Sequence, residues 1–98
     1  MTINQAKDGS NLKIGIVGRL DTTTAPQLEA ELKEALGGVT ALTMDLSQLE
    51  YISSAGLRVL LSAQKVMNKQ GEMIVTGANE TVMEVFEVTG FVDILNIK

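Results

Sequence analysis

The 98-residue chain has no cysteine, histidine or tryptophan, and a single proline. Without cysteine there is no disulfide framework, and the lack agrees with a reducing compartment. Without histidine or cysteine the usual zinc sites are excluded, as are Ser-His and Cys-His nucleophile pairs. No apolar run approaches the ~20 residues that span a bilayer. The opening MTINQAKDGS lacks the basic-then-apolar pattern of an export signal, so a cytoplasmic chain without membrane insertion is expected. Eight basic against twelve acidic residues give a net charge of −4. No basic stripe is available to release counterions, and nucleic acid is not an expected partner.

The chemistry of catalysis is equally sparse. There is no Gly-x-x-x-x-Gly-Lys or Gly-x-Gly-x-x-Gly loop for phosphates and no Gly-x-Ser-x-Gly elbow. The sequence calls for no catalytic residue, metal or cofactor and points to protein contacts. Its length and 45 % hydrophobic content suit one compact domain over residues 1–98.

Periodicity supplies the architecture. LKIGIV (12–17) alternates Leu12, Ile14 and Ile16 as a half-buried strand, and TINQAK can pair with it across Asp8-Gly9-Ser10 as an edge hairpin. Thr24 followed by Gln27 reads as a capping box, with Pro26 in the first turn. Leu28, Leu32, Ala35 and Leu36 follow at helical spacing until Gly37-Gly38. VTALTMDL (39–46) is a second strand that continues to Ile52 after a polar Ser47-Gln48 break. Residues 54 to about 69 form a long helix with Leu57, Leu60, Leu61, Gln64 and Met67 on its inner face. Neighbouring helices are expected to cover Ala63 and Val66. EMIVTG is a strand, Asn79 caps a short helix that Gly90 closes, and FVDILNI is a last strand. The order predicts an α/β fold, a mixed and mostly parallel sheet of four to five strands with helices packed on it.

The stretch YISSAGLR (51–58) marks a strand becoming a helix at the rim where such folds carry function. One reading of Ser53 and Ser54 is ordinary helix capping. Another is a regulatory phosphorylation site, since a helix start welcomes a dianion and the added charge acts on whatever covers that surface. Ala55 and Val59 sit beside the serines, where a partner could use them. Arg58, one turn after Ser54, is placed to meet a phosphate or an acidic partner, or simply solvent.

DLSQLEYISSAGLRVLL resembles the signature of the STAS family, the domain of bacterial anti-sigma-factor antagonists that also occurs in sulphate transporters. GRLDTTTAPQLEAEL is similar to the family's Gly-x-Leu-Asp turn and first helix, and GEMIVTGANETVMEVFEVTGF to its later strand, short helix and Gly-Phe turn. The resemblance covers essentially the whole chain. It implies a protein-binding module, not an enzyme, that binds an anti-sigma factor which is also a serine kinase and so frees a sigma factor. Phosphorylation by that kinase ends the binding, and a metal-dependent serine phosphatase restores it. Aligned on Gly56, the family's phosphoacceptor matches Ser54 and the preceding acid matches Ser53, which becomes a competing acceptor. The implied partner surface comprises Asp21, Ser53, Ser54, Ala55, Gly56, Arg58 and Val59. Asp21 has an alternative role as acceptor for its own Thr22-Thr23-Thr24 turn. The family also contains non-switching adaptors, for example subunits of membrane lipid-transport complexes, and that reading stays beside the first. Many antagonists continue beyond the position of Lys98 into a final helix, whose lack would leave one sheet face less covered, or covered by another subunit.

Overall fold

Alternation of apolar residues along β2 (Asn11–Leu20) and β3 (Ala41–Ile52) puts Leu12, Ile14, Ile16, Leu42, Met44 and Leu46 on one face, all of them buried. The computed structural model, which describes residues 1–98, covers this face with helices. The sheet has the order β1-β2-β3-β4, with β1 (Thr2–Asp8) antiparallel to β2 and β2, β3 and β4 (Glu72–Thr76) parallel. Of three α-helices, α1 (Ala25–Ala35) and α2 (Ser54–Gln70) form the crossovers and α3 (Glu80–Thr89) follows β4, completing the expected α/β architecture.

The polar Ser47-Gln48 segment does not divide β3. It is absorbed by register shifts against β2 between Gly15 and Val17 and again between Gly18 and Arg19, so one strand runs through to Ile52. The last predicted strand is the main departure. Gly90 takes a left-handed conformation (φ 79°) and Phe91–Asp93 form a 3₁₀ turn, closed by Asp93 N–H to Gly90 C=O and Ile94 N–H to Phe91 C=O. Only Ile97 reaches the sheet, as a single parallel bridge to Val75.

Helix α2 contributes Leu57, Leu60 and Met67 to the core, each worth about 1.5–3 kcal/mol when fully buried. Gln64 joins them, and its amide donates to Asn68 Oδ1 (2.9 Å). Leu61 is only half-buried, at the edge of that face. Ala63 is covered as expected, but Val66 is 41 % exposed, on the open groove that runs between α1 and α2 as far as Leu36 and Gln70. Asn79 caps α3 through Val82 N–H (2.8 Å), and its amide donates to Leu49 C=O (3.0 Å), tying the helix to β3.

Candidate functional site at the start of the second long helix

The C-terminal ends of β2 and β3 lie side by side, with Leu20 opposite Ile52 and Arg19 opposite Tyr51. The chain leaving β3 is fastened there by Ser53 N–H to Leu20 C=O, 2.9 Å. The first turn of α2 therefore packs directly on the end of β2. Gly56 makes this approach possible: a Cβ at that position would stand 2.7 Å from Leu20 Cγ and 2.8 Å from Ile52 Cγ1. These contacts bring Asp21, one residue after Leu20, and Ser54, one residue after Ser53, to the same rim.

The two serines have different surroundings. Ser53 is the N-cap residue of α2, but its side chain makes no capping bond. Its Oγ is buried without a hydrogen-bond partner. Ser54 is the first helical residue and is exposed. Capping therefore accounts for neither hydroxyl. The first intrahelical bond is Leu57 N–H to Ser53 C=O (3.0 Å). The helix start consequently carries the positive end of the dipole beside Ser54.

Asp21 organises the neighbouring turn. Its Oδ1 accepts from Thr23 N–H (3.0 Å), Thr23 Oγ1 (2.7 Å) and Thr24 N–H (3.2 Å). The expected Thr24–Gln27 capping box does not form. Thr24 Oγ1 turns back instead, donating to Arg19 C=O and accepting from Asp21 N–H, both at 2.9 Å. Asp21 is thus the side chain that holds the entry to α1. The Thr23 hydroxyl does most to hold its carboxyl below the usual range; desolvation, the next effect in size, opposes it, and the backbone N–H groups of Thr23 and Thr24 add smaller downward contributions. Its Oδ2 lies 3.9 Å from Arg19 Nε.

Of the remaining expected residues, Arg58 is exposed and Ala55 half-buried. Gly56 and Val59 are buried, so neither presents a side-chain surface on the rim. Val59 instead lines a groove of about 320 Å³ between α1 and α2, together with Leu32, Leu36, Ala63 and Val66. Four residues on from Ala55, about 40° round the helix, it faces α1.

Sequence reasoning missed Arg19 and Tyr51. The Arg19 guanidinium stands 4.6 Å from the centre of the Tyr51 ring, between that ring and Asp21. The two residues are far apart in the chain, and only the β2–β3 register makes them neighbours. No local pattern carries that signal.

The whole-chain model of the STAS domain matches residues 2–98. This chain belongs to the STAS domain family. A protein of Bordetella bronchiseptica described as a candidate anti-sigma factor antagonist, BtrV, is 43 % identical over 82 residues, covering 82 % of this chain and 71 % of the relative. The anti-sigma-B factor antagonist of Listeria monocytogenes is 32 % identical over 95 residues, covering 94 % of this chain and 82 % of the relative. Among solved structures, an anti-sigma factor antagonist from Mycobacterium paratuberculosis matches with a TM-score of 0.89 at 23 % identity, over 98 % of this chain and 83 % of the other. The phosphorylated form of the Bacillus cell fate determinant SpoIIAA matches with a TM-score of 0.77 at 20 % identity, over 99 % and 91 %. These two share the fold of this STAS domain: a four-stranded mixed sheet with three helices. No helix is long and apolar enough to cross a membrane.

Proposed function

We propose that this STAS domain is an anti-sigma-factor antagonist whose affinity for its partner is set by phosphorylation of Ser54. The observation that carries the proposal is the contrast between neighbouring hydroxyls: Ser54 is exposed at the first position of α2, while Ser53 Oγ is enclosed. A kinase can reach the first and not the second. The names of its relatives support the general role, and the matching fold of a phosphorylated homologue supports the modification.

In this reading the unmodified rim, with Asp21, Ser54, Ala55 and Arg58, binds an anti-sigma factor that is also a serine kinase, and a sigma factor is released. Transfer of a phosphoryl group from ATP to Ser54 adds a charge of about −1.5 to −2 within the interface. An unmatched charge there costs several kcal/mol, roughly a hundredfold or more in affinity. The same charge is tolerated by the domain itself, since the start of α2 stabilises an anion by about 0.3–1 kcal/mol. A metal-dependent serine phosphatase resets the switch. The protein acts in the cytoplasm as a binding module and uses no cofactor of its own.

The departure at Ser53, an uncharged residue where the family pattern has an acid, keeps the non-switching adaptor as the second reading. Incubation with the anti-sigma kinase from the same organism and ATP, followed by mass spectrometry, separates the two. The switch predicts one phosphate on Ser54 and loss of the complex. Tight binding with no incorporation would assign the chain to the adaptors.

A further inference from the structure

The two edges of the sheet are treated differently. The outer edge of β4 is occupied: Val75 N–H donates to Asn96 C=O (2.9 Å), and Lys98 N–H donates to Val75 C=O (2.8 Å). The outer edge of β1 has no neighbour in the sheet. Native edges are usually blunted by a bulge, a proline, charged side chains, brevity or a covering segment. Over Thr2–Asp8 strand β1 has only the charges of Lys7 and Asp8 at its far end, and it pairs with β2 through seven consecutive residues without a register shift.

The phase of the strand follows from its turn. Gly9 (φ 62°) and Ser10 form a two-residue loop between the paired residues Asp8 and Asn11. A pair flanking such a loop exchanges both backbone bonds, and the assignment then alternates along the ladder. Asp8, Ala6, Asn4 and Thr2 therefore direct their backbone groups to β2, while Lys7, Gln5 and Ile3 direct theirs outward.

We propose that this free edge pairs with the same edge of a second copy, antiparallel about Gln5, joining two sheets into one of eight strands. The strand is self-complementary in that register. Gln5 meets Gln5 of the partner subunit, Ile3 meets Lys7 of the partner subunit, and Thr2 meets Asp8 of the partner subunit. All three outward residues then exchange backbone bonds, and no like charges oppose each other. A shift by one residue brings inward-bonded Asn4 or Ala6 to the edge and loses every bond. A strand from another protein would need side-chain pockets to fix its register, whereas a second β1 centred on Gln5 engages all three outward residues of each strand, more than a slip of two residues keeps. A single strand pair lies at the small end of interfaces, so half-association is expected on the order of 0.1–1 mM.

Sedimentation velocity of the purified protein from about 20 µM to about 2 mM tests this range. The mean mass should rise toward that of a dimer, with exchange of the Ile3, Gln5 and Lys7 amides slowing as concentration rises. The Asn4 and Ala6 amides, already bonded to β2, should be protected throughout. Gln5→Pro removes one outward N–H at an edge position that tolerates proline and should weaken association at least tenfold. A monomer at the highest concentration overturns the proposal. So does a dimer that leaves the Ile3, Gln5 and Lys7 amides unprotected or survives Gln5→Pro. If the proline variant does not fold, the exchange pattern of the unmodified protein decides.

Discussion

Leu20 and Gly56 touch because Gly56 has no side chain: a Cβ there would stand 2.7 Å from Leu20 Cγ. This contact, between the end of β2 and the first turn of α2, sets the spacing of the rim. Gly56→Ala should gain roughly 0.8–1.0 kcal/mol of helix propensity but lose about 1–3 kcal/mol to overpacking. The expected net result is a destabilisation of about 1 kcal/mol. Urea denaturation measures it, and a stabilised variant would show that Leu20 and Ile52 yield freely.

Ser53 and Ser54 should respond oppositely to truncation. Ser53→Ala removes a buried hydroxyl that has no partner, so stability should hold or rise by up to about 1 kcal/mol. Phosphate incorporation by the partner kinase should persist. Ser54→Ala should leave the melting temperature unchanged and remove incorporation while retaining the complex. Labelling that survives in Ser54→Ala and vanishes in Ser53→Ala would reverse the assignment.

Phosphorylation of Ser54 should not melt the domain. Calorimetric scans of the two forms should differ by no more than a few degrees, since a helix-start charge changes stability by about 0.3–1 kcal/mol. A large drop in the phosphorylated form would indicate switching by local unfolding instead.

Asp21 should give the entry to α1 an acid-sensitive hold. Its carboxyl is held below its ordinary value of 3.8, first by the Thr23 hydroxyl. A depressed folded pKa contributes stability above the unfolded value and loses it as pH falls through the folded one. The wild type should therefore weaken progressively below about pH 4 relative to Asp21→Asn, which keeps one acceptor oxygen and cannot ionise. Denaturation midpoints across acidic pH check the difference. At neutral pH Asp21→Asn should fold normally and slow association with the kinase, and unchanged association would confine Asp21 to its turn.

Arg19→Gln tests the pair that stacks across the strands. An exposed cation–π contact is worth about 0.5–1 kcal/mol, so stability should fall by no more than that. If the rim meets an acidic partner, the association rate should fall and its salt dependence flatten. Equal rates and equal salt dependence would leave Arg19 outside the interface.

The element order through α3, the start of α2 at Ser54 and the caps at Asn79 and Gly90 were all legible in the sequence, because each depends on neighbours within about one helical turn or a two-residue alternation. The same local logic misled at Thr24, whose hydroxyl serves Arg19 and Asp21 instead of the helix. It misled again at FVDILNI, where the left-handed turn at Gly90 leads into a 3₁₀ turn and leaves only Ile97 on the sheet. Val59 has partner-like chemistry in the sequence but faces α1 in the fold. The different exposure of two identical, adjacent serines was beyond any pattern in their own segment. It depends on Ser53 N–H reaching Leu20 and on Leu20 fitting against Gly56. Likewise, Arg19 meets Tyr51 only through the parallel register of β2 and β3. The sequence determined which elements form, because local backbone geometry repeats with the hydrophobic period. Tertiary structure alone decided which side chains share the rim, because residues more than 30 positions apart become neighbours only when the core between them is packed.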